Sequence, residues 1–209
     1  MKAYGGRYLN SGELAALGVR SVGGDVHVHS TCLMVGLENL SIGNHVRIDA
    51  FCSLIPGEGY VKIGNHVHVA AYAFLSGGEG IEVSDFVGIS RGVGIYTRND
   101  DYTGHALTGP TVPLEYLKLH KGPVSLGRHV VIGAGSIVLP GTNIAEGSTV
   151  GALSLVRSSL EAWGIYAGVP VRRLRDRSRA LLTFEQQLLA QEQTENIVVP
   201  PPRIGEIDQ

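Results

Sequence analysis

The chain has 209 residues, a formal net charge of −2 at pH 7 and a sequence pI near 6.4. This balance excludes the strongly basic surface expected of a nucleic-acid-binding protein, and no apolar run approaches the roughly 20 residues that a transmembrane helix needs. No signal peptide is recognisable at the start of the sequence, so we expect a cytoplasmic protein with neither membrane insertion nor a nucleic-acid partner.

The first predicted element is a short helix near the start of the chain. Ser11 is a residue type favoured at helix N-caps, and Gly18 is typical of the position just after a helix. Between them, Leu14 and Leu17 lie on one helical face. We expect residues 1–21 to form an N-terminal cap over the open end of the repeats that follow.

Residues 126–156 show the clearest pattern in the sequence, a six-residue repeat. An aliphatic residue returns at every sixth position without a break: Leu126, Ile132, Val138, Ile144, Val150 and Val156. A small residue usually follows four places later. A helix repeats every 3.6 residues and a half-buried strand every 2, so neither explains this period. The pattern predicts an all-β fold, a parallel β-helix of hexapeptide repeats.

The same register extends back through the chain, with longer coils. These earlier coils start at Val22, Ile42, Ile63 and Val83. Their starts are therefore about 20 residues apart. The additional residues fall in three glycine-rich segments at 36–39, 57–59 and 77–80. Glycine allows the positive φ that a bulge requires. We therefore expect these segments to stack on one edge of the β-helix.

Two cysteines fall at equivalent positions of neighbouring coils. Cys32 and Cys52 both occupy a small inward corner position, where a buried thiol packs as a small hydrophobic group. A disulfide between them is geometrically conceivable, since neighbouring coils are spaced about 4.8 Å. A cytosolic location argues against one, and two cysteines cannot form a disulfide framework.

The repeat stops at Tyr96 and resumes near Val124, which leaves a long loop at residues 97–122. The loop departs from the same corner as the glycine-rich segments. It holds the densest group of titratable residues in the chain: Asp100, Asp101, His105, Glu115 and His120. An excursion of this length in a compact domain usually carries function, so we expect the substrate to meet it.

After the last repeat the chain leaves the coils through AGVPVRR at residues 167–173, within an arginine-rich stretch. Residues 183–186 match a capping box, which predicts a C-terminal helix ending near Gln193. The predicted organisation is an N-terminal cap at 1–21, a β-helix domain at 22–171 with the loop inserted at 97–122, and a turn, short helix and tail at 172–209.

Several of these segments resemble the left-handed β-helix acyltransferases, which transfer acyl groups from coenzyme A. The resemblance covers nearly all of residues 11–180 and rests on the hexapeptide repeats, the single long loop and the closing AGVPVRR. Within that family, the N-acyltransferases of nucleotide-linked amino sugars such as dTDP-4-amino-4,6-dideoxyglucose are the most similar. The segments that carry this are IGNHVRIDAFC, HVAAYAFLSGGEGIEVSDFVGIS and DDYTGHALTGPTVP.

The resemblance implies a fold, a co-substrate and an assembly. It implies that the β-helix is left-handed, although crossover connections in other folds are right-handed. It further implies an N-acyltransferase that uses acetyl-CoA or another acyl-CoA and serves the biosynthesis of O-antigen or another surface polysaccharide. The expected assembly is a homotrimer with active sites in the clefts between neighbouring subunits.

The resemblance also carries over candidate binding residues, motif by motif. Guanidinium groups pair well with phosphate, and the residues expected to contact coenzyme A are Ala134, Gly151, Ala152, Arg157, Gly168, Val169, Arg172 and Arg173. Those expected near the amino sugar are Tyr72, Ser90, Asp101 and His105. A structural interpretation stays open for each type, because β-helix corners favour glycine, surface arginines are often solvated and a surface tyrosine often serves packing alone.

Asp100 is the candidate catalytic residue. In the sugar and maltose O-acetyltransferases of the family, the loop opens with Tyr-Thr-x-x-His, and that histidine deprotonates the acceptor hydroxyl. Here residues 96–100 read Tyr-Thr-Arg-Asn-Asp. A carboxylate, with an ordinary pKa of about 3.9, is a weak base toward a hydroxyl but suffices to orient an amine and accept its proton. The aspartate therefore favours N-acylation, with the Ala134 amide stabilising the oxyanion.

Three other functions stay open. O-acylation of a sugar hydroxyl would require another base, for which His105 and His120 are candidates. A non-catalytic scaffold would leave the loop, the arginines and the closing turn without a ligand. A zinc lyase like the γ-class carbonic anhydrases, which share this fold, needs ligands about 2.0–2.1 Å from one point. We expect no metal, because an outward column, rather than a convergent site, is predicted for His45, His66 and His129.

Overall fold

The computed structural model describes residues 5–198, with side chains described up to residue 194. Within this range the chain divides into two units, one ending at Arg177 and one beginning at Ser178. In the first unit most strands form three sheets, and each coil of the chain contributes one strand to each sheet in turn. This unit is therefore a parallel β-helix with three faces, as the six-residue repeat predicts.

The faces are defined by their strands, numbered in chain order. Face 1 contains β2 (Ser21–Val22), β5 (Leu40–Ile42), β8 (Val61–Ile63), β11 (Ile81–Val83), β16 (Val124–Leu126) and β19 (Asn143–Ile144). Face 2 contains β1 (Tyr8–Leu9), β3 (Val26–His29), β6 (Val46–Ile48), β9 (His68–Val69), β12 (Gly88–Ile89), β17 (Val131–Ile132), β20 (Thr149–Val150), β22 (Gly164–Gly168) and β23 (Val171–Asp176). Face 3 contains β4 (Leu33–Met34), β7 (Ser53–Ile55), β10 (Phe74–Ser76), β13 (Gly94–Tyr96), β18 (Ile137–Val138) and β21 (Leu155–Val156).

The remaining elements lie in the loop and near the termini. They are the loop strands β14 (Arg98–Asn99) and β15 (His120–Lys121), the α-helices α1 (Ser11–Ala16) and α2 (Leu181–Val198), and 3-10 helices at Leu37–Asn39 and Leu114–Tyr116. Because the chain passes from face 1 to face 2 to face 3 in each coil, we name the corners the 1/2, 2/3 and 3/1 edges.

The interior is filled by the side chains that the repeat turns inward. All six aliphatic residues of the repeat at 126–156 are fully buried. Four small polar residues of the repeat are buried as well, and their hydroxyls donate to backbone carbonyls: Ser136, Thr142, Ser148 and Ser154. Ser136 donates to Gly151 (2.9 Å) and Thr142 to Leu139 (2.7 Å). Such partners remove the free-energy cost of burying an unpaired hydroxyl, so serine and threonine fit these positions.

The three glycine-rich segments stack on the 3/1 edge, which confirms that prediction. The side-chain amide of Asn39 in the first segment donates to the Gly57 carbonyl in the second (3.2 Å). A Cβ added to Gly57 would lie 3.7 Å from the Cα of Gly78 in the third segment, and one added to Gly59 would lie 2.3 Å from the carbonyl oxygen of Gly77. The first distance is an ordinary contact, whereas the second leaves no room for a side chain, so glycine is required at Gly59.

A ladder of side-chain oxygens supports the 1/2 edge. Asn44 Oδ1 accepts from the Gly24 N–H (2.8 Å), Asn65 Oδ1 from the Asn44 N–H (2.8 Å), and Asp85 Oδ1 from the Asn65 N–H (2.7 Å). Arg128 extends the ladder to the fifth coil through an ion pair with Asp85 (2.7 Å). Each side chain thus fixes the turn of the coil before its own.

The predicted column of histidines on this edge is present, with a phenylalanine within it, but it is not outward throughout, because His129 is buried. The rings of His45 and His66 stack at 4.8 Å between centroids, those of His66 and Phe86 at 4.6 Å, and those of Phe86 and His129 at 5.2 Å. All four residues have a positive φ between 55° and 62°. The column is therefore a stack of rings one coil apart.

The N-cap of α1 is Asn10, so the expectation for Ser11 is wrong. The Asn10 side chain accepts from the Glu13 N–H (3.0 Å), and the Glu13 carboxylate accepts from the Asn10 N–H (3.0 Å), which completes a capping box. Ser11 is the first helical residue, and its hydroxyl accepts from the Val26 N–H (3.1 Å), which joins the helix to β3. Leu14 is fully buried in the core, so the helix covers the end of the coils as expected.

Face 2 ends in an antiparallel strand on each side. β1 pairs antiparallel with β3, with Tyr8 opposite His29. β23 pairs antiparallel with β22, with Gly168 opposite Val171. The pairs between them, from β3 to β22, are parallel. The direction of the chain thus reverses at both ends of this sheet.

Cys32 and Cys52 are free thiols. They lie opposite each other because β4 and β7 pair in register, and Cys52 is buried in the core. The Sγ of Cys32 lies 3.0 Å from the Asp49 carbonyl and that of Cys52 lies 3.2 Å from the Ala70 carbonyl. The adjacent Cys32 thiol and burial both raise the pKa of Cys52, which favours the unreactive protonated thiol.

The second unit contains α2, which differs from its predicted bounds. It runs from Leu181 to Val198, so Thr183 is not its N-cap and the predicted end at Gln193 is too early. The Ser178 hydroxyl accepts from the Ala180 N–H (3.2 Å), so the chain turns before the expected capping box. No helix in the described part of the chain is both long and apolar enough to cross a membrane.

Candidate active site

The 2/3 edge repeats one turn in five coils. The first residues of these turns are Ala50, Ala71, Arg91, Ala134 and Ala152. The second residues have a positive φ of 53–68° and are Phe51, Tyr72, Gly92, Gly135 and Leu153. From Tyr72 onward, the N–H of each second residue donates to the carbonyl of the first residue in the preceding coil, at 2.8–3.1 Å. These bonds hold the turns in line, about 4.8 Å apart.

Most of the predicted binding residues lie on this edge, although they are far apart in sequence. Ordered along the edge, they are Tyr72, Ser90, Ala134, Gly151, Ala152, Gly168 and Val169. The two last residues belong to the turn between β22 and β23, and the Gly168 N–H donates to the Ser154 hydroxyl (3.1 Å). The edge therefore aligns the positions expected to meet the amino sugar with those expected to meet coenzyme A.

The backbone amides along the edge differ in what they can bind. The Gly151 N–H donates to the Tyr166 carbonyl (2.8 Å), so it is not available to a ligand. The N–H groups of Ala134 and Ala152 donate to no backbone carbonyl among residues 5–198, and both residues are exposed. An open N–H is what an oxyanion or a ligand carbonyl requires, so Ala134 and Ala152 are the stronger candidates.

The three candidate arginines also differ. Arg173 is held within the chain, because it donates to Asp176 (2.8 Å) and to the Tyr166 hydroxyl (2.9 Å). The hydrogen bond to Asp176 raises the pKa of Arg173 above its ordinary value. The guanidinium of Arg172 donates to the adjacent Val171 carbonyl (3.2 Å) and is exposed. Arg157 is exposed at the end of β21, and it makes no ion pair with any other described residue.

The neck of the loop at 97–122 is fixed to the stacked glycine segments. Arg98 donates to Glu79 (2.6 Å), to the Gly78 carbonyl (3.0 Å) and to Glu58 (3.2 Å). The Thr97 hydroxyl accepts from the Glu79 N–H (3.1 Å). Beyond the neck, β14 and β15 pair as a short antiparallel ribbon. These contacts hold the start of the loop in place. They therefore also fix the position of the residue that follows β14.

That residue is Asp100, which follows β14 directly. Its Oδ1 accepts from the Gly109 N–H (3.3 Å), and its second oxygen accepts no hydrogen bond from the described residues. The side chain is half-buried in a depression of about 400 Å³, whose walls include Tyr102, Leu114 and Leu117. A carboxylate with one fixed and one open oxygen can orient an amine and accept its proton.

Asp101 has a different environment. Its Oδ1 accepts from the Thr103 hydroxyl (2.7 Å) and its Oδ2 from the His105 N–H (2.8 Å). The hydrogen bond from Thr103 lowers the pKa of Asp101 below its ordinary value. Thr103 Oγ1 also lies 2.6 Å from His105 Nδ1. Both predicted sugar-binding residues of the loop, Asp101 and His105, thus take part in folding its tip, a turn of the Asx type.

One chain does not bring all of the predicted residues together. The loop leaves from the 3/1 edge, whereas Tyr72, Ser90 and Ala134 lie on the 2/3 edge. The two edges are separated by face 3, whose strands of two or three residues span roughly 7–10 Å. Among the described residues, Asp100 makes no hydrogen bond to the 2/3 edge. The candidate base and the candidate oxyanion donor of the same chain therefore border opposite sides of one face.

Two residues of the 2/3 edge were not predicted from sequence. The rings of Phe51 and Tyr72 stack with their centroids 5.1 Å apart. The guanidinium of Arg91 lies over the Tyr72 ring, 4.9 Å from its centroid. The signal for Arg91 was present, because alanine occupies its position in the four other turns. It becomes visible only when the coils are aligned by their hydrogen bonds.

Comparison with known proteins places these features in a family. No protein-family model matches the chain. A dTDP-4-amino-4,6-dideoxy-D-glucose acyltransferase of Escherichia coli is 41% identical over 178 residues, which is 85% of this chain and 93% of that protein.

Two crystal structures of AntD, an N-acyltransferase from Bacillus cereus, are also similar. The complex with dTDP and 3-hydroxybutyryl-CoA is 44% identical, with a TM-score of 0.84 over 88% of this chain and 100% of that one. A variant in complex with dTDP-4-amino-4,6-dideoxyglucose and coenzyme A is 40% identical, with a TM-score of 0.83 over 88% and 98% of the two chains. The chain therefore belongs to the left-handed β-helix acyltransferases of the hexapeptide-repeat family, in the branch of the N-acyltransferases of nucleotide-linked amino sugars.

Proposed function

We propose that the protein transfers an acyl group from acyl-CoA to the amine of dTDP-4-amino-4,6-dideoxyglucose. The observation that carries this proposal is the 41% identity, over 85% of the chain, to an acyltransferase named for that sugar. The AntD complexes hold the same sugar nucleotide or dTDP beside coenzyme A or an acyl-CoA. We propose no particular acyl group for the donor, because the two relatives are named for acyl transfer in general.

The reaction needs few groups from the protein. The neutral amine attacks the thioester carbonyl carbon, and the carbonyl electron pair moves to the oxygen. An open backbone N–H such as that of Ala134 stabilises this oxyanion. Asp100 orients the amine and takes its proton. When the carbon–sulfur bond breaks, the sulfur leaves as the thiolate of coenzyme A and is protonated, which gives an amide and free coenzyme A.

The spacing of two residues supports the roles of Ser90 and Asp100. AntD was crystallised with substitutions at a serine and at an aspartate ten positions after it, in complexes with dTDP or the amino-sugar nucleotide and coenzyme A. Ser90 and Asp100 are also ten residues apart, one at the 2/3 edge and one in the loop. We assign Ser90 to the sugar and Asp100 to the amine.

The outward side chains of face 3 support a homotrimer. On face 1 the outward side chains are polar: Ser21, Ser41, Lys62, Glu82, Ser125 and Asn143. On face 3 most are apolar: Leu33, Val35, Ile55, Phe74, Tyr96, Ile137 and Leu155. A continuous apolar face of this kind marks an interaction surface. We propose that face 3 packs against two further copies of the chain around a three-fold axis.

This packing also completes the site. With face 3 directed at the axis, the 3/1 edge of one subunit meets the 2/3 edge of the next, because these edges border the same face on opposite sides. Such a contact is heterologous and closes into a ring. Asp100 of one subunit would then lie near Ser90 and Ala134 of its neighbour. We also propose that the protein acts in the cytoplasm.

An assay with paired acceptors tests the function. The purified protein is incubated with acetyl-CoA or 3-hydroxybutyryl-CoA and either the amino-sugar nucleotide or its analogue with a hydroxyl in place of the amine. We expect release of free thiol and, by mass spectrometry, an acylated product from the amine alone. Acylation of the hydroxyl analogue in preference to the amine would contradict the proposal and favour an O-acyltransferase.

A further inference from the structure

One small inward position at the 2/3 edge recurs in each of six coils. We call its residues the corner column, and in chain order they are Cys32, Cys52, Ala73, Val93, Ser136 and Ser154. The N–H of the residue after each of the first five donates to the carbonyl of the next member, at 2.8–3.0 Å. Alanine, valine and serine all satisfy the packing in this column. A thiol is therefore not required by the fold, and two thiols in adjacent coils need another explanation.

Cys32 differs from the rest of the corner column in its exposure. The other five residues are buried, at 0–2% exposed, whereas Cys32 is only partly buried. The reason is its place in the fold, because Cys32 directly precedes β4, the terminal strand of face 3. In the proposed trimer the copies pack side by side on face 3, which leaves this end of the coils uncovered. Cys32 is therefore the thiol that a small solute meets first.

The two thiols are placed to react with each other. Because β4 and β7 pair in parallel register, with Leu33 opposite Ser53, the backbones of the two cysteines lie one strand spacing apart, about 4.8 Å. Disulfides join residues whose Cα atoms lie about 4.4–6.8 Å apart. A bond between these sulfurs therefore needs no change of register and no movement of a coil.

The pair is also asymmetric in its chemistry. The hydrogen bond with the Cys52 thiol lowers the pKa of Cys32 below its ordinary value. The same hydrogen bond, together with burial, raises the pKa of Cys52. Because the thiolate is the nucleophilic form, the more exposed member of the pair is also the more reactive one. The buried member is held beside it as a protonated thiol.

We propose that Cys32 and Cys52 form a peroxide-sensitive dithiol site, in which Cys32 is the nucleophile and Cys52 is the resolving thiol. The Cys32 thiolate attacks one oxygen of hydrogen peroxide, the O–O bond breaks, and the second oxygen leaves as hydroxide and takes up a proton. The Cys52 sulfur then attacks the sulfenic acid on Cys32, and the S–O bond breaks with release of water. Two electrons pass from the two sulfurs to the peroxide, which gives one disulfide and two molecules of water.

The disulfide would join the first coil to the second. The first coil is the terminal one in face 3, so its strand β4 has a neighbour on one side only. In a reducing compartment such a bond is transient and typical of a redox-sensing site. The inference does not rest on the proposed acyl transfer, in which neither cysteine takes part.

Oxidation of the native protein tests the site. The chain has two cysteines, so every thiol signal belongs to one of them. After treatment with hydrogen peroxide, we expect peptide mapping without reductant to find a disulfide between Cys32 and Cys52 of the same chain, which dithiothreitol removes. A disulfide between chains, or oxidation without any disulfide, would overturn the proposal.

Single variants separate the two roles. In Cys52→Ala the reaction should stop at the sulfenic acid on Cys32, which dimedone labels. In Cys32→Ala the remaining thiol should be labelled at least about tenfold less, because it is buried and protonated. Alanine is the native residue at the equivalent Ala73, and circular dichroism checks that both variants are folded. Equal labelling of the two variants, or stronger labelling of Cys52, would contradict the assignment.

A measurement on the native protein keeps the test independent of the variants. Iodoacetamide is added under non-oxidising conditions, and the alkylation rate of each cysteine is read from its peptide by mass spectrometry. We expect Cys32 to react about tenfold faster than Cys52, or more. Equal rates would show that the two thiols only fill the corner column.

Discussion

Asp100 and Asp101 are adjacent carboxylates with different hydrogen bonds. Asp101 accepts from Thr103 and His105 and closes the tip of the loop, whereas Asp100 accepts one N–H and keeps an oxygen open. Sequence alone predicts both as site residues, because two neighbouring aspartates in a long loop offer the same chemistry. Only the contacts of the folded loop separate a residue that shapes the site from one that can act in it.

Substitution of Asp100 tests its role in the reaction. We expect Asp100→Asn to lower kcat by roughly 10²-fold or more, because the amide cannot accept the proton of the amine. The substitution keeps the size of the side chain, so the oligomeric state and dTDP binding should be retained. The measurement is steady-state kinetics with the amino-sugar nucleotide and acyl-CoA.

The loop histidines are the matched comparison for Asp100. His105→Ala and His120→Ala should each cost less than about tenfold in kcat, since neither is assigned to the proton transfer. An inactive histidine variant together with normal turnover by Asp100→Asn would reverse the assignment and return O-acylation to first place.

Arg172 is the candidate contact for the phosphates of coenzyme A. Arg172→Ala should raise KM for acyl-CoA by a factor that corresponds to about 1.5–3 kcal/mol, the range for a hydrogen bond to a charged group. The KM for the sugar nucleotide should not change. Arg20→Ala, at an exposed arginine outside the proposed site, is the control, and an unchanged KM in Arg172→Ala would make that side chain a solvated surface residue.

At the scale of elements, the coils were predicted well, whereas the N-cap of α1 and the bounds of α2 were not. The inward positions recur every six residues, so the core and the stacked glycine segments follow from the sequence. Asn10 and Ser11 are both good N-cap residues, and only the reciprocal bonds with Glu13 choose between them. Arg91 was missed for a similar reason, because its column depends on coils of unequal length being placed in register.

The ladder on the 1/2 edge gives a prediction about stability. In Asp85→Ala the Asn65 N–H loses its acceptor, and we expect the free energy of unfolding to fall by about 1–3 kcal/mol. Asp85→Asn should lose less, because its amide oxygen can still accept from Asn65. Urea unfolding at one fixed protein concentration compares the variants. Equal stability of Asp85→Ala and the native protein would show that the ladder is dispensable.

At the scale of the whole molecule, face 3 is the surface to test. We expect Phe74→Asp to place a charge in the proposed subunit interface and to convert the trimer to monomers, with loss of acyl transfer because the site needs residues from two subunits. Ser41→Asp, which places the same charge on the polar face 1, should remain trimeric and active. Light scattering and the acyl-transfer assay measure the two effects. An active native monomer, or a trimeric Phe74→Asp variant, would contradict this interface.

The reversal of chain direction at both ends of face 2 bears on self-association. A stack of parallel coils has no internal limit to its length, because each terminal coil presents unpaired N–H and C=O groups to a coil of another molecule. In face 2 those terminal positions belong to β1 and β23, which run against the neighbouring strands. Two molecules stacked end to end would bring β23 of one against β1 of the other in this face, because these strands lie outside the parallel coils. The ladder of parallel coils in face 2 would therefore be interrupted at each junction by two antiparallel pairs, whose hydrogen-bonding pattern differs from that of the coils.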